Sequence, residues 1–327
     1  MPVVYVFPVK SFEEASALRH VFIVNPAAGK KRGALLLQPR IRAAFEGREE
    51  PYAIRPTHAP GDATRIAQEE CSKGDPVRLY ACGGDGTLLE TAEGLAGCPH
   101  AQLAVVPCGS ANDYVRSYGS EEAFLDLDAQ IEGRAVPVDG VEGGGHLSLN
   151  MASMGMDAEV ARKMVRYKNL PLVSGPMAYN LAIADVFFHK IGMELDITID
   201  TPEGEIRRQG RYFFALAACG QYYGGGYRGA PQARTGDGLL DFVLIKAMPR
   251  IQVPAFLSRY KEGKHLGMAC CERFRGTGLR VSSSRPVTCT MDGECFAAPS
   301  IAFVVRPAAF SFVLPRGVDG VGGLYDL

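Results

Sequence analysis

This 327-residue sequence has almost no net charge, no C-x-x-C pair, few histidines and no apolar run long enough to cross a bilayer. Each absence removes a class of function. A formal net charge of -1 leaves no dominant basic surface of the kind general nucleic-acid binding requires. The nine cysteines, at positions 71, 82, 98, 108, 219, 270, 271, 289 and 295, are an odd set without metal-ligand spacing. Neither a zinc site nor a disulfide framework is indicated, and reduced small hydrophobes are expected. The six histidines are scattered and there is no G-x-S-x-G elbow, so nothing points to a hydrolase. The most apolar stretch, Met177 to Phe188, is short and interrupted by Asn180 and Asp185. Met1 to Lys10 lacks the cationic start and small-residue cleavage site of a signal peptide, so the expected location is the cytoplasm.

With 47% hydrophobic residues at this length, two domains with cores of their own are expected. The chain is organised around Leu79 to Glu90, where an apolar run stops at Gly83, Gly84 and Gly86 and a new apolar period begins near Thr87. That pattern is strand, tight turn, helix. Glycines let main-chain N–H groups approach a ligand, and the helix start adds unpaired N–H groups and the positive end of its dipole, so the turn suits a phosphate. Asp85 would repel a naked phosphate and fits a metal-bound nucleotide or a substrate hydroxyl. The plainer reading is an ordinary turn in which Asp85 caps a helix.

Two further junctions share this make-up. The strand His20 to Asn25 runs into Pro26-Ala27-Ala28-Gly29-Lys30-Lys31, and Leu103 to Val106 runs into Pro107-Cys108-Gly109-Ser110-Ala111-Asn112-Asp113. Helices are predicted over Arg32 to Glu46 and Ala63 to Ser72, the second capped by Asp62, with an extended run from Tyr52 to Thr57. Alternating short strands and helices imply a parallel sheet, and ligands collect at the carboxyl ends of such strands. The turns at 25–30, 83–87 and 108–113 then share one rim.

From about Asp139 the texture changes. A strand is predicted over His146 to Met151, helices over Asp157 to Tyr167, Pro176 to Phe188 and Arg250 to Lys261. Extended runs cover Met193 to Asp200, Gly204 to Cys219, Leu239 to Lys246, Gly278 to Ser283, Val287 to Met291 and Ile301 to Val305. Strands joined by Gly and Pro turns indicate an antiparallel, sandwich-like domain. The expected division is an α/β nucleotide-binding domain over 1–140 and a β-rich substrate domain over 141–305. The final run, Ala309 to Leu314, fits either domain, and a return to the first from about residue 306 is allowed.

Taken in order, these motifs resemble the soluble bacterial diacylglycerol kinase and lipid kinase family, whose relatives include sphingosine and ceramide kinases. The resemblance spans His20 to Leu314 and includes Asn25-Pro26-Ala27-Ala28-Gly29-Lys30, Gly83-Gly84-Asp85-Gly86-Thr87 and Pro107 to Asp113. Gly224-Gly225-Gly226, Pro231 to Asp241 and Met291-Asp292-Gly293-Glu294 follow. Ser110 stands where the family usually has Thr and keeps the hydroxyl. The resemblance implies a first domain like that of NAD kinases and phosphofructokinases, and ATP held by Asn25, Pro26, Ala27, Ala28, Gly29, Lys30, Thr57, Gly83, Gly84, Asp85, Gly86, Thr87 and Ser110. It also implies Mg²⁺ organised through water by Asp85, Asp113 and Asp139, and a second, structural Mg²⁺ at Arg234, Asp237 and Leu239. Glu294 matches the proton acceptor, with Asp85 the rival for that role.

The implied activity is transfer of the γ-phosphoryl group of ATP to a lipid alcohol at a membrane surface, with no nucleic-acid partner and with a homodimer allowed. A kinase of a soluble nucleotide or sugar shares the glycine-Asp-glycine turn, and a catalytically silent regulator on the same scaffold is a second alternative. Arg162, Lys163, Arg166 and Lys168, beside Met164, Val165 and Tyr167, are placed to touch an anionic membrane transiently, or form a merely solvated helix face.

Overall fold

The computed structural model describes residues 17–29, 36–119, 121–168, 170, 173, 175–189, 192–291 and 294–320. The first half alternates β1 (Arg19–Val24), α1 (Leu37–Ala44), β2 (Tyr52–Pro56), α2 (Asp62–Cys71), β3 (Val77–Gly83), α3 (Asp85–Leu95) and β4 (Ala101–Pro107). β1 pairs in parallel with β2 and β3, and β3 with β4. β1, β3 and β4 read as near-continuous apolar runs because both sheet faces are covered. Val21, Ile23, Leu79, Ala81, Leu103 and Val105 pack toward α2 and α3. Their alternates Phe22, Val24, Tyr80, Cys82, Ala104 and Val106 pack toward Leu37 and Ile41 of α1.

Three short helices follow: α4 (Asp113–Arg116), α5 (Glu121–Leu125) and α6 (Leu127–Ile131). α6 ends on a buried cation. Arg78, 5% exposed, donates to the carbonyls of Gln130 and Ile131 at 2.7 Å, to that of Gly133 at 3.0 Å and to Gln102 Oε1 at 2.8 Å. The carbonyls left over at a helix end thus receive a charged donor. Arg78→Met, similar in length but without donors, is expected to lower stability by about 2–3 kcal/mol, measured by urea unfolding.

The second half contains β5 (Arg134–Gly143), β6 (His146–Ser148), β7 (Met151–Gly155), α7 (Met156–Lys168), α8 (Gly175–His189), β8 (Met193–Thr201) and β9 (Gly204–Ala218). β10 (Leu240–Lys246), α9 (Val253–Lys261), β11 (Cys271–Gly276), β12 (Gly278–Met291) and β13 (Glu294–Leu314) complete it. Its strands pair antiparallel in the order β11-β10-β9-β7-β12-β13, with β8 against β9 and β12. β13 runs on past this sheet: it pairs with β5 along most of its length, and Phe312 meets Leu103 of β4 in parallel. One strand therefore stitches the two sheets together.

Several local expectations need correction. α3 begins at Asp85 rather than near Thr87. Asp62 lies inside α2, where Gly61 (φ +83°) takes the cap position, and its carboxylate accepts from His58 N and Ala59 N at 2.7 and 3.1 Å. It ties the preceding turn instead of capping the helix. The runs at 278–283 and 287–291 are one strand with a register shift between Ser282 and Val287. The runs at 301–305 and 309–314 likewise belong to β13, interrupted by a shift between Arg306 and Phe310, where Ala308 adopts φ +51°. The predicted helix over 250–261 is a 3-10 turn, Arg250–Gln252, followed by α9.

Candidate active site

The carboxyl ends of β1, β3 and β4 lie along one edge because the strands are parallel neighbours. Asn25 N donates to Cys82 O at 3.0 Å, and Cys108 N and Gly109 N both donate to Gly83 O, at 2.7 and 3.1 Å. Thr57 N donates to Val24 O at 2.9 Å, which seats buried Thr57 beside the first turn. The Asn25 side chain works twice: its Nδ2 donates to Thr87 Oγ1 and its Oδ1 accepts from Ala27 N, each at 3.0 Å. Thr87 is thereby a buried staple beneath the turn, while Ala27, Gly86 and Ser110 are exposed on it.

Two glycines here are dictated by close approach. A Cβ on Gly83 would lie 2.2 Å from Thr87 Oγ1, and one on Gly109 would lie 2.4 Å from Gly84 Cα. The second and third turns therefore touch backbone to backbone. A Cβ on Gly86 meets nothing within 4 Å, so this position opens outward. Asn112 (φ +52°) holds the third turn, with its Oδ1 accepting from Gly109 N at 3.1 Å and its Nδ2 donating to Glu121 Oε1 at 2.6 Å.

Two carboxylates meet at this edge. Asp85 heads α3 and its Oδ1 accepts from Tyr114 N at 3.3 Å. Asp113 heads α4 and its Oδ2 accepts from Gly225 N at 2.7 Å, drawing in the glycine loop of the second half. The other Asp113 oxygen, Oδ1, is buried without a hydrogen-bond partner, and Arg116 Nε stands 3.9 Å away. Burial raises the pKa of Asp85. For Asp113, burial and then the charge of Asp85 push it up to about 6. Like charges held together at a desolvated site are what a bound cation relieves.

Asp139 belongs elsewhere. Its Oδ2 accepts from Gly238 N at 2.7 Å, its Oδ1 from Ala308 N at 2.9 Å, and its backbone N donates to Thr235 O at 2.6 Å. The neighbouring charge that raises its pKa, after burial, is Asp237. Its place in the fold is a latch joining β5 to the 235–238 loop and to the break in β13. Asp237 accepts from Leu239 N at 3.2 Å and is ion-paired to Arg275. Arg275 thus stands against the carboxylate that the resemblance assigns, with Arg234 and Leu239, to a structural cation. Lys30 lies outside the described residues. Glu294 opens β13 opposite Met291, and its side chain lies outside them too. Among the described residues, no three His, Cys, Asp or Glu side chains form a metal cage. Mg²⁺ needs no such cage, since it keeps waters and is bound by one or two carboxylates plus substrate phosphates. The Asp85–Asp113 pair, with its orphaned Oδ1, fits that requirement.

The contacts hardest to foresee are those crossing between the halves. Besides Asp113 to Gly225, Gln221 N donates to Ser117 Oγ at 2.9 Å and Tyr118 Oη to Thr235 Oγ1 at 3.1 Å. The sole sequence signal was the glycine triplet 224–226, which marks a loop another backbone or side chain can approach.

Within the second half, Met156, Val160, Ile183, Val186, Phe213, Phe214, Val253 and Leu257 line an apolar cavity of about 50 Å³ together with Tyr223, Tyr227 and Tyr260. Its lining comes from α7, α8, β9 and α9. α8 is apolar on nearly all sides, and Met177 and Leu181 on it are exposed. Of the cations on α7, Arg162 pairs with Glu159 at 2.8 Å and Lys163 with Asp185 at 2.9 Å. No helix among the described residues is long and apolar enough to cross a membrane.

A parallel α/β unit with a glycine-rich, acid-bearing rim, latched to an antiparallel β unit, is the architecture of a kinase with a diacylglycerol kinase catalytic domain. Residues 19–142 match the diacylglycerol kinase catalytic domain, and residues 150–314 match the YegS C-terminal NAD kinase beta sandwich-like domain. The chain belongs to this lipid kinase family. It is 32% identical to a Pseudomonas aeruginosa protein named "Probable lipid kinase YegS-like", over 88% of this chain and 93% of that one. It is 27% identical to the Bacillus subtilis diacylglycerol kinase, covering 83% of this chain and 88% of that protein. A solved Bacillus anthracis structure, titled as a diacylglycerol kinase, superposes with a TM-score of 0.66 at 21% identity, covering 92% of this chain and 98% of that one. At that identity the last match speaks for the fold alone.

Proposed function

We propose that the protein transfers the γ-phosphoryl group of ATP to the hydroxyl of a membrane lipid, diacylglycerol or a related lipid alcohol. The observation that carries this reading is the edge where three turns, the head of α3 and the Asp85–Asp113 pair converge beside a loop of the β-rich half. Phosphoryl transfer asks for charge neutralisation, in-line placement and a group to take the hydroxyl proton, with little covalent help. The partly exposed backbone of 26–29, 84–86 and 109–110 is suited to the phosphates, and the start of α3 adds the positive end of its dipole. Asp85 and Asp113 would hold Mg²⁺, which when bound neutralises phosphate charge. Glu294 takes the lipid proton in this reading, a role that rests on the resemblance of Met291 to Glu294 to the family's motif.

The apolar cavity supports a lipid acceptor over a soluble one. Its walls are almost entirely apolar and aromatic side chains, the lining an acyl chain requires. Ile251, 87% exposed just before α9, and Met177 and Leu181, exposed on α8, leave an apolar fringe on or next to two helices that help line the cavity. A bilayer surface is the natural cover for such a fringe. Ile251→Glu is expected to cut co-sedimentation with anionic vesicles severalfold while leaving ATP affinity unchanged; equal binding by both proteins excludes this surface.

The overall test is transfer of radiolabel from ATP to a panel of lipid alcohols in mixed micelles, with sugars and nucleosides alongside. Labelling of soluble acceptors alone would replace the lipid reading by a small-molecule kinase. Nucleotide placement is checked separately: saturating Mg-ATP is expected to slow amide exchange over Gly83 to Thr87, and unchanged exchange there removes the nucleotide from this edge.

A further inference from the structure

The glycine triplet 224–226 touches both features that the proposed reaction uses. Its centre lies at the acidic edge: Gly225 N donates to Asp113 Oδ2 at 2.7 Å, and a Cβ on Gly226 would lie 3.1 Å from Arg116 Nη1. Its flanks, Tyr223 and Tyr227, belong to the wall of the apolar cavity. Tyr223 N donates to Tyr227 O and Tyr227 N to Tyr223 O, both at 2.9 Å, which closes a tight hairpin. Gly224, Gly225 and Gly226 all take left-handed φ within it, +61°, +84° and +102°, a run that only glycine accepts without strain.

The base of the hairpin is anchored in the core of the second half. Tyr223 Oη and Tyr260 Oη are 2.9 Å apart, with the two rings edge to face. Tyr260 of α9 is 2% exposed and packs against Phe256 and His265. A Cβ on Gly229 would lie 2.6 Å from Tyr260 Oη and 2.7 Å from Tyr223 Cε1, so the chain leaving the hairpin passes directly over this pair. One short element is therefore held at its tip by a carboxylate of the first half and at its base by two tyrosines of the second.

We propose that the 223–227 hairpin couples the binding of the two substrates, with Tyr223, Tyr227 and Tyr260 as positioning residues. This rests on the reading of the Asp85–Asp113 pair as the cation and nucleotide site and of the cavity as the lipid's. With the hairpin docked, the bond from Gly225 fixes the Asp113 carboxylate through Oδ2 and leaves Oδ1 for a cation, while Tyr223 and Tyr227 complete the cavity wall. With the tip lifted, the carboxylate loses its restraint and the wall loses two aromatic side chains. Both substrates are thus held better by the docked arrangement. Two ligands that favour the same one of two states raise each other's affinity by the same factor.

Calorimetry of Mg²⁺ with β,γ-methylene-ATP, with and without dioctanoylglycerol, and of dioctanoylglycerol with and without the nucleotide, measures the coupling in both directions. Each ligand is expected to tighten the other about tenfold, equally both ways. The Mg²⁺-nucleotide alone should slow amide exchange over 223–227, most of all at Gly225. Tyr260→Phe, which keeps the ring and removes the hydroxyl contact to Tyr223, should bring the factor below about threefold. Tyr223→Phe cuts the same contact from the other side and should do likewise, so the contact is tested even where one variant does not fold. Binding of both ligands with a factor near one, or a tenfold factor kept in the tyrosine variants, overturns the coupling alone. Failure to bind either ligand at all removes the reading beneath it, and the coupling with it.

Discussion

Asp85→Asn is expected to lower lipid phosphorylation by about 10²–10⁴ and to weaken Mg-ATP binding with it, without unfolding the protein. The rate loss corresponds to roughly 3–5 kcal/mol of transition-state stabilisation. Stability should hold because the variant removes one of two crowded, desolvated carboxylates. Burial raises the pKa of Asp85, and the charge of Asp85 in turn contributes to raising that of Asp113, so the wild-type pair is held against its own repulsion. Relieving that repulsion should leave the variant's melting temperature equal to or above the wild type's. A carboxylate engaged with a cation has low proton affinity and is a poor base, which assigns proton removal to another group. Glu294→Gln should therefore lower kcat by about 10²–10⁴ with Mg-ATP affinity nearly intact. Calorimetry of Mg-ATP binding beside phosphorylation rates separates the roles. A Glu294→Gln enzyme of near-normal rate gives proton removal to Asp85 or solvent, and an Asp85→Asn enzyme with unchanged Mg-ATP affinity takes Asp85 out of the nucleotide site.

The parts of the site contributed by single short segments were legible in the sequence. Each of the turns at 25–29, 83–87 and 108–113 follows a run of apolar residues that can only be a buried strand, and parallel strands place such turns on one edge. What could not be read were the groups that meet through folding alone. Asp113 and Gly225 are 112 positions apart, and Asp139 and Ala308 are 169 apart. Nothing local distinguishes an aspartate that accepts from distant backbone N–H groups from one awaiting a cation, and the bonds from Gly238 N and Ala308 N to Asp139 come from folding alone. β11 escaped for a related reason. Its sequence, Cys-Glu-Arg-Phe-Arg-Gly, carries no apolar run, and Arg273 and Arg275 are satisfied by Asp241 and Asp237 across the sheet. β13 was read as two pieces because Arg306-Pro307-Ala308 looks like a turn, whereas it is a register shift in a continuous strand.

Two histidines that take no part in the proposed reaction should each contribute to acid destabilisation. His20 lies within 2.7 Å of Tyr80 Oη through its Nδ1 and packs against the rings of Phe45 and Tyr80. Burial first, then the charge of Arg78, lowers its pKa from 6.5 to about 4. His265 is fully buried; its Nε2–H donates to Gly229 O at 3.1 Å, and its Nδ1 has no partner to receive a proton's charge. Burial lowers its pKa to about 4 as well, against the opposing effect of the Gly229 bond. In the unfolded chain both titrate near 6.5, so as pH falls the unfolded state takes up protons first. The stability held above pH 6.5 is then lost down to about pH 4, at up to about 1.4 kcal/mol per pH unit and roughly 3 kcal/mol for each histidine. Asp113 acts in the other direction. Its raised pKa means the folded state gains a proton between about pH 6 and its unfolded value near 3.8, returning roughly 3 kcal/mol over that range. Burial also raises Asp85, Asp139 and Asp241, which act in the same direction as Asp113, so the histidine contribution is isolated by a difference between variants. The difference in unfolding free energy between wild type and His20→Gln cancels the carboxylates. It should be constant above pH 6.5 and shift by about 3 kcal/mol against the wild type by pH 4, with His265→Gln adding independently from its separate core. A pH-independent difference would mean that His20 titrates alike in the folded and unfolded chains, and that its place between Phe45 and Tyr80 is not as desolvated as the packing requires.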